Sequence, residues 1–110
     1  MRDGLHTPKV LRTSPHEGAT IDPGPFTLSV TYDQAMQPGS YSFAGPRDLA
    51  PEACGTPELS KDGRTYSMRC NASPGRAYEI WFNREPYMNF KSSEGVPGEP
   101  FRLLFSVAAK

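Results

Sequence analysis

The chain has 110 residues, with 12 basic and 12 acidic side chains and a formal net charge of zero at pH 7. This length corresponds to one domain, and no basic run offers the electrostatic surface that binds a phosphate backbone. No apolar stretch approaches the length of a membrane-spanning helix. We therefore expect neither nucleic acid nor membrane insertion. Twelve prolines and ten glycines indicate many turns.

The first residues are polar and contain no apolar segment of the kind found in a signal peptide. The sequence predicts a flexible N-terminal segment over residues 1–7 and a folded domain over residues 8–110. We interpret Met1 as a start residue added to an excised fragment. If the domain is exported, its signal lies outside this sequence.

Apolar and polar residues alternate in several short runs, which predicts strands that bury one face. The predicted strands cover residues 8–13, 26–32, 41–44, 56–60, 65–70, 77–83 and 101–108. Seven short strands separated by turns are typical of an all-β, immunoglobulin-like β-sandwich of antiparallel strands. Asp62-Gly63 predicts a tight hairpin in which both central residues have positive φ.

Cys54 and Cys70 are too few and too far apart for a metal site of the CxxC type. One interpretation is a disulfide that closes a loop of about 15 residues and contributes ~3 kcal/mol. The other is a pair of buried thiols in a cytosolic protein. We favour the disulfide, because small turn-rich β-proteins are often exported and export favours oxidation.

Several short sequence motifs in the chain match those of a known family in their order and spacing. They are Ser14-Pro15, Gly18-Ala19-Thr20, the strand that runs into Asp33-Gln34-Ala35-Met36, Ser73-Pro74-Gly75 before Tyr78, and Asn89-Phe90-Lys91-Ser92 with Gly95, Pro97 and Phe101. They resemble the bacterial Ig-like domains of the S-layer or surface-protein type. The resemblance implies a secreted, periplasmic or cell-surface module that acts as a spacer or docking domain. Its partner would be another protein or a neighbouring domain of a parent chain.

Two side chains have structural roles that need no ligand. We expect Met36 to plug one end of the sandwich. We expect the Tyr78 hydroxyl to bond back to nearby backbone, as the tyrosine corner of Ig-type folds does.

The same opening also resembles the periplasmic copper-resistance C-type proteins, in which an N-terminal histidine joins a later Asp-x-His motif. His6 fits the first part of that pattern. The later motif is absent, because residues 92–95 read Ser-Ser-Glu-Gly, and His16 lies in a turn. Methionines 36, 68 and 88 are possible soft ligands for Cu(I). We predict no metal site and no cofactor, with His6 as the candidate ligand if copper binds.

Other ligand and enzyme interpretations have little support. Glu17, Asp22 and Asp33 lie in turns without the oxygen-clustering loop of a calcium site, so we interpret them as solvated carboxylates. The chain has no Gly-x-Ser-x-Gly, Walker or His-Glu-x-x-His motif. Glu79, Glu85 and Glu94 are the only candidates for a glycosidase pair, and nothing distinguishes them from surface charge. We predict that the protein is not an enzyme.

The candidate interaction surface consists of Trp81, Tyr87, Met88 and Phe90. Alternation places Trp81 on the opposite face from Ile80, so one interpretation is that it points outwards and forms, with Tyr87 and Phe90, an aromatic platform for sugar or protein. The interpretation that we favour is that the connection over residues 85–99 folds over Trp81 and covers it. Exposed sheet edges also allow association with another strand.

Overall fold

A computed structural model describes residues 6–46, 49–51 and 54–109. The elements are β1 (Val10–Ser14), β2 (Thr20–Ile21), β3 (Gly24–Tyr32), β4 (Phe43–Ala44), β5 (Glu58–Leu59), β6 (Thr65–Ala72), β7 (Ala77–Phe82) and β8 (Phe101–Val107). Sheet A has the order β1-β3-β6-β5, and sheet B has the order β2-β8-β7-β4. The predicted all-β, Ig-like sandwich is confirmed. Within these ranges no helix is long and apolar enough to cross a membrane.

The two-residue alternation of each long strand sets which side chains enter the core. Leu28, Val30 and Tyr32 of β3 are fully buried, and the threonine and serine residues between them point to the other face of sheet A. The long strands of both sheets contribute the remaining inward side chains: Tyr66, Met68, Cys70, Tyr78, Ile80, Phe82, Leu103, Phe105 and Val107. The core therefore lies between the two sheets, as the sequence pattern predicts.

The structure adds an eighth strand to the seven that the sequence predicts. β2 pairs with β8 in parallel, through Thr20 with Ser106 and Ile21 with Val107, so sheet B is not purely antiparallel. The sequence indicates only one apolar contact at Ile21, because two residues are too few to show a period. What makes them a strand is the neighbouring edge of β8.

The hairpin between β5 and β6 is looser than predicted. Gly63 has a φ of +77°, whereas Asp62 does not have positive φ. The Gly63 N–H donates to the Ser60 carbonyl, and the Ser60 N–H donates to the Thr65 carbonyl. The Asp62 carboxylate accepts bonds from the Ser60 hydroxyl and the Arg64 N–H. The side chain of Asp62 thus stabilises a longer loop in which glycine alone takes the left-handed conformation.

The predicted backbone bond of Tyr78 is present, and Met36 is buried, as its predicted role requires. The Tyr78 hydroxyl accepts a hydrogen bond of 2.9 Å from the Ser73 N–H, five residues earlier. Met36 is 2% exposed and belongs to the core, and its N–H donates to the Gly63 carbonyl. Of the predicted flexible segment, residues 1–5 lie outside the described residues. His6 and Thr7 are exposed, whereas Pro8 is buried.

Candidate functional site

The predicted interaction surface needs one correction, at Phe90. This side chain is fully buried, whereas Tyr87 is 63% exposed. The Phe90 ring centroid lies between 5.1 and 6.2 Å from those of Phe43, Tyr66, Tyr32 and Phe82. The prediction that Phe90 offers a contact surface is therefore wrong. The segment after β7 turns inwards at Phe90, because this large apolar ring has space between the sheets.

Asn83 holds that segment in place. It is the one described residue other than glycine with a positive φ, at 70°, and it is fully buried. Its amide nitrogen donates to the carbonyls of Phe90 and Gly98, both at 2.9 Å, and its amide oxygen accepts from the Phe90 N–H at 2.8 Å. The Phe90 N–H and the Gly98 carbonyl thereby gain hydrogen-bond partners, and the Phe90 carbonyl, which also accepts the Gly98 N–H at 2.8 Å, gains a second one.

Trp81 lies on the outer face of sheet B, as alternation predicts, and it is half-buried. The guanidinium carbon of Arg84 lies 5.0 Å from the centroid of the indole ring, which is cation–π geometry. The indole N–H donates to the Glu79 carboxylate at 3.0 Å. Trp81 is thus partly covered by Arg84, the residue immediately before the 85–99 connection.

A groove of about 790 Å³ opens beside β4, and we call it the β4 groove. Residues 41–45 line it from sheet B, and Pro57 and Met68 line it from the side of sheet A. Arg84, Glu85 and Tyr87 line it from the turn that follows β7. Of the predicted surface, the structure therefore places Tyr87 at this groove. Met88 is half-buried and Phe90 lies in the core.

The disulfide holds a loop near this groove. The sulfur atoms of Cys54 and Cys70 are bonded, so the predicted disulfide is present in the structure. Cys70 is buried on β6 and Cys54 is exposed, and the Gly55 N–H donates to the Arg69 carbonyl at 2.7 Å. These two links join the chain after residue 53 to sheet A. A smaller cavity of about 240 Å³ lies against Cys54, Pro51 and Met68.

His6 lies near Asp33 at the other candidate site. The His6 Nε2 atom is 3.5 Å from a carboxylate oxygen of Asp33 and 3.0 Å from the side-chain nitrogen of Gln34. Burial alone would raise the pKa of Asp33, but hydrogen bonds from the Lys9 N–H and Gln34 and the proximity of His6 outweigh it and lower that pKa. Among residues 6–46, 49–51 and 54–109, no three His, Cys, Asp or Glu side chains are grouped closely enough to hold a metal.

Three of the acidic candidates have hydrogen-bond partners in the structure. A carboxylate oxygen of Glu17 accepts the Leu104 N–H at 3.0 Å, and that of Asp33 accepts the Lys9 N–H at 3.1 Å. The Glu79 carboxylate accepts a hydrogen bond from the Trp81 indole N–H, and Glu85 lies at the β4 groove. Two of the carboxylates that the sequence offered for calcium therefore bind backbone instead.

Sequence reasoning missed both Asn83 and the β4 groove. One feature of the sequence could have indicated the role of Asn83. Apart from glycine, asparagine is among the residues that best tolerate a positive φ, and Asn83 follows the end of a predicted strand. The groove had none, because it forms between segments far apart in the chain.

No protein-family model matches the chain, and no curated protein is significantly similar to it. Solved structures do match. CopC from Methylosinus trichosporium OB3b superposes with a TM-score of 0.67 at 13% identity, over 92% of this chain and 93% of that one.

The surface layer protein SbsC, domains 1–6, gives a TM-score of 0.60 at 18% identity, over 96% of this chain but 14% of that chain. The N-terminal part of the same S-layer protein gives 0.58 at 18% identity, over 94% of this chain and 24% of that one. The chain thus spans a small part of the S-layer protein and nearly all of CopC. Both predicted resemblances are confirmed in fold: this chain has the β-sandwich that these proteins share.

Proposed function

We propose that the chain is a non-catalytic, extracytoplasmic Ig-like module that acts as a spacer or docking domain within a larger exported bacterial protein. The observation that carries the proposal is the match of nearly the whole chain to a small part of SbsC, a surface layer protein. A sandwich of this size would form one domain of a longer surface protein. The Cys54–Cys70 disulfide supports an oxidising compartment.

The first test determines both the cellular location of the protein and the oxidation state of its cysteines. Cells that make the native chain are lysed in a membrane-permeant alkylating agent, fractionated, and analysed by mass spectrometry without reduction. We expect the chain in the periplasmic, surface or secreted fraction with Cys54 and Cys70 unalkylated. A cytoplasmic chain with two alkylated thiols would overturn the extracytoplasmic assignment.

A second test addresses docking itself. Cross-linking of the native protein in cells, followed by identification of linked peptides, should give links from this domain to a neighbouring domain or another protein. A domain that gives links only within itself would contradict docking. A spacer role would then rest on its place in the parent chain.

The second candidate function is a copper-binding protein. The observation that favours it is the combination of the CopC match over 93% of that chain with a histidine 3.5 Å from a carboxylate. His6 and Asp33 offer two donors of the kind that Cu(II) accepts. No third His, Cys, Asp or Glu side chain of the described residues joins them.

Thermal unfolding distinguishes the two functions. The oxidised domain is measured alone and with Cu(II), Cu(I) and Ca²⁺, with His6→Ala as the matched variant. A ligand at about 100 times its dissociation constant adds ~2.7 kcal/mol and raises Tm by several degrees. We expect no shift. A Cu shift that His6→Ala removes would favour the copper-binding function.

A further inference from the structure

One wall of the β4 groove is an unpaired strand edge. Residues 41–45 line the groove, and among the described residues the only strand that pairs with β4 is β7. On that side the Asn83 N–H donates to the Ser42 carbonyl at 3.1 Å. Because backbone groups of successive residues point to opposite edges of a strand, those of Phe43 face the groove. β4 itself is two residues long, so Phe43 contributes one backbone N–H and one C=O to this edge.

The facing wall is apolar. Pro57 has no backbone N–H to present, and the Met68 side chain points inwards from β6. The Phe43 ring, on the β4 wall opposite, is partly buried against the core. A side chain that enters between Phe43 and Met68 would find an apolar, adaptable surface.

The end of the groove is charged and aromatic. Arg84 and Glu85 line it, and no ion pair joins either of them to another described residue. The stacking of Arg84 on Trp81 limits its freedom, so a partner carboxylate meets a guanidinium that is already ordered. Tyr87, one of the two large apolar residues that are exposed in the described ranges, stands beside them.

We propose that the β4 groove binds an extended segment of a partner protein, which adds a strand to the free edge of β4. An apolar side chain of the segment lies between Phe43 and Met68, and an acidic residue of the segment faces Arg84. This inference rests on the proposed docking function and gives it a site. The groove-facing backbone N–H and C=O of Phe43 favour a peptide over a sugar, because an extended peptide can pair with both groups at once.

The probe is a phage-displayed library of random nine-residue peptides, selected on the oxidised domain. Synthetic versions of the selected peptides are then measured by fluorescence anisotropy. We expect enrichment of peptides with alternating apolar residues and one acid. Methylation of the backbone nitrogen that pairs with the Phe43 carbonyl should weaken binding at least tenfold, whereas methylation of the two neighbouring nitrogens should leave it unchanged.

Three variants of the domain complete the test. Tyr87→Ser should weaken binding at least tenfold, and Arg84→Gln should weaken it and reduce its dependence on salt. Leu11→Ser is the matched control, because Leu11 is the other exposed large apolar residue (55%) and lies on β1 of sheet A, so its peptide affinity should equal that of the wild type.

The outcomes separate this inference from the function on which it rests. Selection of no peptide, or peptides indifferent to backbone methylation, would overturn strand addition. If an oligosaccharide binds the wild-type domain and binds Tyr87→Ser more weakly, the groove is a sugar site and strand addition is overturned. If cross-links to a partner persist in Tyr87→Ser and Arg84→Gln, docking stands and the groove is not its site.

Discussion

At the scale of single residues, the structure separates two buried tyrosines that the sequence pattern treats alike. Both point into the core from sheet A. The Tyr66 hydroxyl donates to the Gln37 carbonyl, whereas the Tyr32 hydroxyl has no hydrogen-bond partner among the described residues. A buried hydroxyl without a partner costs free energy that a phenylalanine would not.

We therefore expect opposite effects of the same substitution. Tyr32→Phe should leave the free energy of unfolding unchanged or raise it by about 1 kcal/mol, and Tyr66→Phe should lower it by about 1 kcal/mol. Urea unfolding monitored by the single tryptophan measures both. Equal losses in the two variants would contradict the assignment of Tyr32.

Asn83 is the other residue whose role depends on its partners. Asn83→Ala removes three buried hydrogen bonds and places alanine at a φ of 70°, so we expect a loss of about 3 kcal/mol. Asn83→Gly keeps the backbone freedom and should lose about 1 kcal/mol less. Asn89→Ala, at an exposed position, is the control and should stay within about 0.5 kcal/mol of the wild type. A small effect of Asn83→Ala would show that the 85–99 segment holds itself in place.

At the scale of elements, the short strand β4 depends on a close approach of backbones. Gly45 follows β4 at a φ of 140°, and a Cβ there would stand 2.8 Å from the Glu79 carbonyl oxygen of β7. Since a backbone carbonyl cannot rotate away as a side chain can, any larger residue would separate β4 from β7.

Gly45→Ala should lower the free energy of unfolding by about 3 kcal/mol. Gly75→Ala is the matched control: its φ of 72° is also positive, but a Cβ would meet no heavy atom within 4 Å, so about 1 kcal/mol is expected. Denaturant midpoints of the two variants give the comparison. A Gly45→Ala variant no less stable than Gly75→Ala would mean that the β4–β7 approach is not tight.

At the scale of the whole molecule, core burial makes stability fall in alkali. Burial, and then the negative charge of Glu99, raise the pKa of Tyr32 far above its usual value of 10.0. The folded state therefore keeps a proton that the unfolded state loses above about pH 10. Below that pH the contribution is fully present; above it the unfolded state binds fewer protons, so stability falls as pH rises.

Unfolding measured between about pH 8 and pH 11.5 should show this fall in the wild type. Tyr32→Phe should reduce its slope, because the variant has no phenol to titrate. Some slope should remain, since burial also raises the pKa of Tyr66. If the free energy of unfolding falls with the same slope in Tyr32→Phe, other titrating groups cause the loss of stability in alkali.

The sequence by itself determined the class of the fold and the faces of its long strands. Alternation in β3, β6, β7 and β8 identified their buried side chains, since a period of two needs only local information. It also predicted the Cys54–Cys70 pair and the tyrosine corner at Tyr78.

Only the tertiary structure decided the rest. The parallel pairing of β2, the packing of Phe90 against Phe43 and Tyr66, and the β4 groove each depend on segments that lie far apart in the chain. In the sequence, Phe90 looks the same as an exposed aromatic residue in a loop. Its burial depends on the space between the two sheets, which no local sequence pattern predicts. Local periodicity determines which face of a strand is buried, whereas packing determines which neighbours fill the ends and edges of the sandwich.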